Sequence, residues 1–253
     1  VFPVAWTLDT MGFFTRSVSD AALMLGTLVG RDEDDPSSID APGADYVRAA
    51  NHAETPPRIG VLGGLFAERA NGEVSTHAGS VAERLASAGA VVEAAATSAD
   101  FEGLLGAHRI TMDVEGARVH RADLAARPGD YGPKLTAMIN DGLAYPAVDY
   151  VGAQETRRSF RAEMERLAAR YDVILTPSTP APPPRGLKTT GDPVFQTPWT
   201  TCGFPSISIP SGLSESGLPL GIQLAASPLG EERLLAAAAW CESVLDVELR
   251  PPL

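Results

Sequence analysis

The 253-residue sequence is poor in the groups that most chemistry requires. It has two cysteines, four histidines and 6% aromatic residues, and only two of its 20 bases are lysines, Lys134 and Lys188. Cys202 and Cys241 lie 39 positions apart with no CxxC and no clustered histidines, so no metal site is expected and reduced, buried thiols are. No apolar run approaches the roughly 18 residues of a membrane span, and no charged segment leads into a short apolar one. No membrane partner and no signal peptide are therefore expected, and the location reads as cytoplasmic. With 32 acids against those 20 bases the net charge is −12, which speaks against a phosphate-backbone partner. Hydrophobic residues make up 44%, enough for a core that needs no staples. The chain begins Val1-Phe2-Pro3-Val4, and its first methionine is Met11.

The patterning predicts an α/β fold, a mixed β-sheet flanked by helices. Ser17 is an N-cap signal for a helix that Gly30 closes, with Val18, Ala21, Ala22, Leu25 and Leu28 inward. Residues 31–44 form an acidic loop. Residues 58–62, 73–88 and 91–92 read as strand, helix and strand, a βαβ unit whose strands should run parallel. Residues 100–171 are helical apart from breaks at 128–133 and 142–146. The last of these helices, from Tyr150, counts Val151, Met164, Leu167 and Ala168 as its apolar side. A strand at 172–177 leads into a five-proline connector, and 206–210 with 220–225 form a hairpin. A helix over 231–246 closes the chain. No repeat is present.

Catalytic signatures are sparse. There is no Gly-x-Ser-x-Gly elbow. Ser211 to Gly217 is serine-rich but has no base in sequence reach and reads as a solvated turn. His52, His77, His108 and His120 show no ligand spacing and read as surface or satisfied core histidines. Gly60 to Gly64 follows a strand but lacks the third glycine of a dinucleotide fingerprint, and Phe66-Ala-Glu-Arg opens no clean helix. No catalytic residue, cofactor or metal ligand is assigned from these patterns.

Three blocks in order carry a family resemblance. Trp6-Thr-Leu-Asp-Thr-Met-Gly12 with Thr15-Arg-Ser-Val-Ser-Asp-Ala-Ala22 is the first. Tyr171-Asp-Val-Ile-Leu-Thr-Pro177 is the second, and Gly203-Phe-Pro-Ser-Ile-Ser-Ile-Pro210 with Gly217-Leu-Pro-Leu-Gly-Ile-Gln-Leu224 is the third. The sequence resembles the amidase signature family, with Phe13 where that family usually has proline. The resemblance implies that residues 1–253 are a single C-terminal portion of that fold. The family's catalytic serine, bridging cis-serine and lysine would lie upstream, since Lys134 and Lys188 match neither the triad lysine nor its context.

The implied activity is hydrolysis of a carbon–nitrogen amide bond through a serine acyl-enzyme, with this chain supplying pocket walls and scaffold and being inactive alone. Implied partners are a small-molecule amide and the N-terminal half, on the same enzyme or a second chain; a homodimer is allowed. Substrate-binding candidates are Trp6 in the first block, and Phe195, Gln196, Trp199 and Thr200 on the loop before Gly203. Thr200 replaces a common asparagine, and the aromatics suit an apolar acyl group. The competing reading places these residues in the core. Asp9 and Arg16 are expected to be structural. Two alternatives stay open. One is a non-catalytic binding or interaction module that kept the fold. The other is a component like the A subunit of a glutamine-dependent tRNA amidotransferase, for which Arg157, Arg158 and Arg161 would offer part of a charged pocket.

Overall fold

The computed structural model describes residues 2–35, 37–41 and 43–248. Val1, and Pro36 and Pro42 of the acidic loop, lie outside the described residues. Helix α1 (Val18–Leu28) starts where Ser17 Oγ accepts from the Asp20 amide at 3.1 Å. Val18, Ala21 and Ala22 are buried, but Leu28 is exposed, as are Leu23 and Met24. The expected apolar stripe thus ends a turn early, because the helix leans on the core through its small residues. Helix α2 (Tyr46–Asn51), capped by Asp45, was not anticipated, since six residues carry too little periodicity.

Strand β1 (Arg58–Leu62), helix α4 (Gly72–Ser87) and strand β2 (Val91–Ala95) form the expected βαβ unit, with Ile59 level with Val92 in parallel register. Gly89, at φ 113°, ends α4 in a conformation that glycine adopts without strain. Between β1 and α4 a one-turn helix α3 (Leu65–Arg69) follows Gly64, so the Phe66 segment is helical after all. Leu65 and Phe66 are buried there, and that burial offsets the missing side-chain cap.

Helices α5 (Phe101–Ala126), α6 (Pro133–Ala144) and α7 (Ala147–Ala168) fill the middle, broken close to the predicted positions. Val151 points outward, while Met164, Leu167 and Ala168 are buried as expected. Strand β3 (Val173–Pro177) is buried throughout. The segment before Gly203 is not a loop: a 3-10 turn at Pro193–Phe195 runs into helix α8 (Thr197–Cys202). Gly203, at φ 68°, supplies the left-handed residue that stops it. Strands β4 (Ser206–Leu213) and β5 (Pro219–Ala225) make the hairpin, with a bulge between Pro210 and Gly212, and helix α9 (Glu231–Leu245) is the last element among the described residues.

The sheet order is β2-β1-β3-β5-β4. β1 pairs in parallel with β2 and β3, whereas β5 is antiparallel to both β3 and β4. One face carries Ile59, Val173, Leu175 and Leu224 against Leu85, Leu235 and Trp240 from α4 and α9. The other carries Leu62 and Ile174 against Leu104, Met164 and Trp199 from α5, α7 and α8. Each such fully buried large side chain contributes about 1.5–3 kcal/mol. Among the described residues no helix is long and apolar enough to cross a membrane.

Candidate functional site

The N-terminal segment folds into a self-capped turn. Asp9 Oδ2 accepts from the amides of Val4 (2.7 Å) and Ala5 (3.1 Å), and the amides of Leu8 and Asp9 return to the Ala5 carbonyl. Asp9 is thus structural, as expected. Arg16 is exposed and meets no acceptor among the described residues. Thr7 projects from this turn into a polar cluster between α5 and α7. Its amide donates to Glu115 Oε2 at 2.9 Å and its hydroxyl to Oε1 at 2.7 Å, while the Tyr150 hydroxyl donates to the same Oε1 at 2.9 Å. Arg157 grips Thr7 from the other side, Nη1 to Oγ1 at 2.9 Å and Nη2 to the carbonyl at 3.1 Å. Tyr150 and Arg157 are seven residues apart and so share one face of α7.

Electrostatics fit this arrangement. Burial first, then the Glu115 hydrogen bond and charge, push the Tyr150 hydroxyl up to about 12, so it stays a donor. Burial pulls Arg157 below its usual value, opposed by Glu115, Tyr150 and Cys202. Arg157 Nε is buried with no hydrogen-bond partner. From α5, His108 Nδ1 lies 2.8 Å from Thr201 Oγ1 on α8. Burial, and then the Arg157 charge, lower the His108 pKa below 6.5. The ring is therefore neutral at pH 7.

The five candidate residues divide. Trp6 is 39% exposed beside Thr7, and its carbonyl accepts from Ser37 Oγ at 3.0 Å. Gln196 and Thr200 are half-buried on the turn and helix leading to Gly203, and Gln196 Nε2 donates to the Ser178 carbonyl. Phe195 (0% exposed) and Trp199 (2%) lie in the core, with Phe66 ring centres at 4.9 and 5.8 Å. Trp199 Nε1 has no partner there. The structure thus ties the Trp6 turn, through Thr7, to Glu115 on α5 and Arg157 on α7, and leaves the aromatics Phe195 and Trp199 in the core.

Ser211 is not in a solvated turn: it is 6% exposed on β4, and its hydroxyl lies 2.7 Å from His77 Nε2 on α4. A contact across 134 residues leaves no trace in sequence. Both cysteines are free and buried, their thiols pushed by burial up to about 12. Among the described residues no group of His, Cys, Asp or Glu is arranged to hold a metal. The groove at the ends of β1 and β2, about 490 Å³, has Glu68, Asp100 and Glu102 as its charged lining, which repels phosphate.

The family model for Amidase matches residues 1–235. The chain belongs to the amidase signature family. It is 31% identical to the A subunit of glutamyl-tRNA(Gln) amidotransferase from Synechococcus sp. (strain RCC307), over 98% of this chain and 57% of that one. The corresponding Deinococcus radiodurans protein is 30% identical, with 98% and 58% covered. Among solved structures, a chain from a vestigial protein complex that reveals the origins of an s-triazine catabolic enzyme superposes with a TM-score of 0.82. It is 26% identical, covering 96% of this chain and 55% of that one. The peptide amidase PAM in complex with the competitive inhibitor chymostatin shares the fold at a TM-score of 0.80 and 23% identity, over 100% and 57% of the two chains. The chain thus spans a little over half the length of the relatives it matches.

Proposed function

We propose that this chain is the C-terminal portion of an amidase that hydrolyses a small-molecule amide through a serine acyl-enzyme. The serine, bridging serine and lysine come from the family's N-terminal portion, upstream on the same polypeptide or on a second chain. This portion supplies scaffold and pocket walls, with Trp6, Gln196 and Thr200 reaching the surface and Phe195 and Trp199 backing them. The observation that carries the reading is the Thr7–Glu115–Arg157 cluster. It holds the Trp6 turn, part of the first family block, against the helices beside α8. Three exposed apolar residues of the same segment, Phe2, Met11 and Phe14, support a covering partner. In the reaction the serine attacks the carbonyl, the amine leaves, and water cleaves the ester.

The amidotransferase reading has the named relatives in its favour. It also needs arginines free to bind the glutamine α-carboxylate. Arg157 is committed to Thr7 and Gln154 and Arg161 to Glu165 at 2.7 Å, so of the three only the exposed Arg158 is without a partner among the described residues, one arginine rather than a charged pocket. Hydrolysis of a simple amide is therefore the leading reading. Ammonia release from a panel of aryl and alkyl amides tests it. Turnover should require both portions together. Activity confined to glutamine, and only with tRNA-charging partners present, would favour the amidotransferase. No activity with both portions together would favour a non-catalytic module.

A further inference from the structure

His108 carries chemistry that the pocket walls described above leave unused. The Thr201 hydroxyl has one proton, and it goes to the buried Thr197 carbonyl at 2.6 Å. Thr201 Oγ1 therefore accepts from His108, and Nδ1–H is the donor at 2.8 Å. The network so fixes the tautomer. In the neutral ring the lone pair then sits on Nε2, which has no protein partner among the described residues and is not sealed from solvent. The ring is bonded to α8 on one side. It also feels the charge of Arg157, the residue that grips Thr7 of the Trp6 turn. An imidazole fixed by Thr201, the neighbour in sequence of the candidate Thr200, with an unpartnered ring nitrogen that solvent reaches, can receive a donor.

We propose that His108 is a substrate-contacting residue whose Nε2 accepts a hydrogen bond from the N–H of a neutral carboxamide. This rests on the amidase reading and names its substrate class. A neutral donor fits because the neighbouring guanidinium repels an ammonium group. A carboxylate or an isolated carbonyl finds no proton at Nε2. An amide with two N-alkyl groups brings no N–H and gains nothing from the contact.

The test compares benzamide with N,N-dimethylbenzamide in the assembled enzyme. His108→Phe should raise KM for benzamide by about 3- to 10-fold with little change in kcat, the worth of one neutral hydrogen bond. It should leave the dimethyl amide unaffected, and His108→Gln, whose Oε1 still accepts, should recover part of the loss. Equal losses on both amides, or no loss on either, overturn the proposal. A second readout does not depend on turnover. The 15N resonance of His108 Nε2, assigned by its absence in the His108→Phe variant, should move as benzamide is titrated. If the enzyme hydrolyses amides but that resonance stays still, the His108 proposal falls alone. If the resonance moves and no amide is hydrolysed, the amidase reading falls and the contact stands.

Discussion

Thr7, Glu115, Tyr150 and Arg157 act as one unit because each carboxylate oxygen of Glu115 meets a defined donor. Removing the Glu115 carboxylate strands the Thr7 amide and hydroxyl and the Tyr150 hydroxyl at once. Glu115→Ala should therefore cost about 3 kcal/mol, seen as a lower urea midpoint with an unchanged slope. An unchanged midpoint would contradict it. The histidines set an acid limit. His77 and His108 both lie below the ordinary 6.5, chiefly through burial, with Glu73 opposing the shift at His77 and Arg157 adding to it at His108. The unfolded chain then binds protons more readily than the folded one. Their stabilising contribution is present above about pH 6.5 and is lost as pH falls through the folded values. Asp113 and Glu242, raised by burial, act with the opposite sign, so the histidine contribution is isolated by the His77→Gln, His108→Gln double variant. The urea midpoint should drop more steeply between about pH 7 and pH 5 in the parent than in that variant. Parallel curves would contradict the assignment. At this scale the sequence was legible where chemistry is local. The Ser17 cap and the structural role of Asp9 needed only neighbours. The Glu115 contact to Thr7 spans 108 residues and the His77 contact to Ser211 spans 134, and no local pattern signals either.

Among the elements, α5 and α6 approach closely at a glycine. A Cβ on Gly142 would come within 1.9 Å of the Asp113 carbonyl oxygen, a backbone atom that cannot swing aside. Gly142→Ala should separate the two helices and cost about 2 kcal/mol or more, although alanine is the better helix former. A gain in stability would show that the helices have room to slide. The longer elements were legible because their periodicity repeats over several turns or several strand residues. The βαβ unit, the hairpin and α9 all stand close to their predicted bounds. Helices α2, α3 and α8 have five or six residues each and depend on burial, a tertiary property. That is why the segment before Gly203 read as a loop and its aromatics as pocket candidates, when the 3-10 turn and the short helix carry Phe195 and Trp199 into the core.

For the whole molecule, strand order was the least legible feature. β1 and β3 are adjacent in the sheet but separated by more than a hundred residues, most of them helical, and only packing selects that pairing. The α/β class and the parallel βαβ core followed from patterning, and the family from three ordered blocks. The finished sheet has two edges, β2 and β4. β4 has one proline and one bulge to deter further pairing. With the exposed apolar side chains of the N-terminal segment, this leaves a surface that the proposed serine-bearing portion would cover. Whether the nucleophile lies outside this chain is decided by labelling the assembled enzyme with a fluorophosphonate and mapping the labelled peptide. A single labelled serine on the N-terminal portion, and none within these 253 residues, is the expected result. A label on any serine of this chain, Ser211 included, would contradict it.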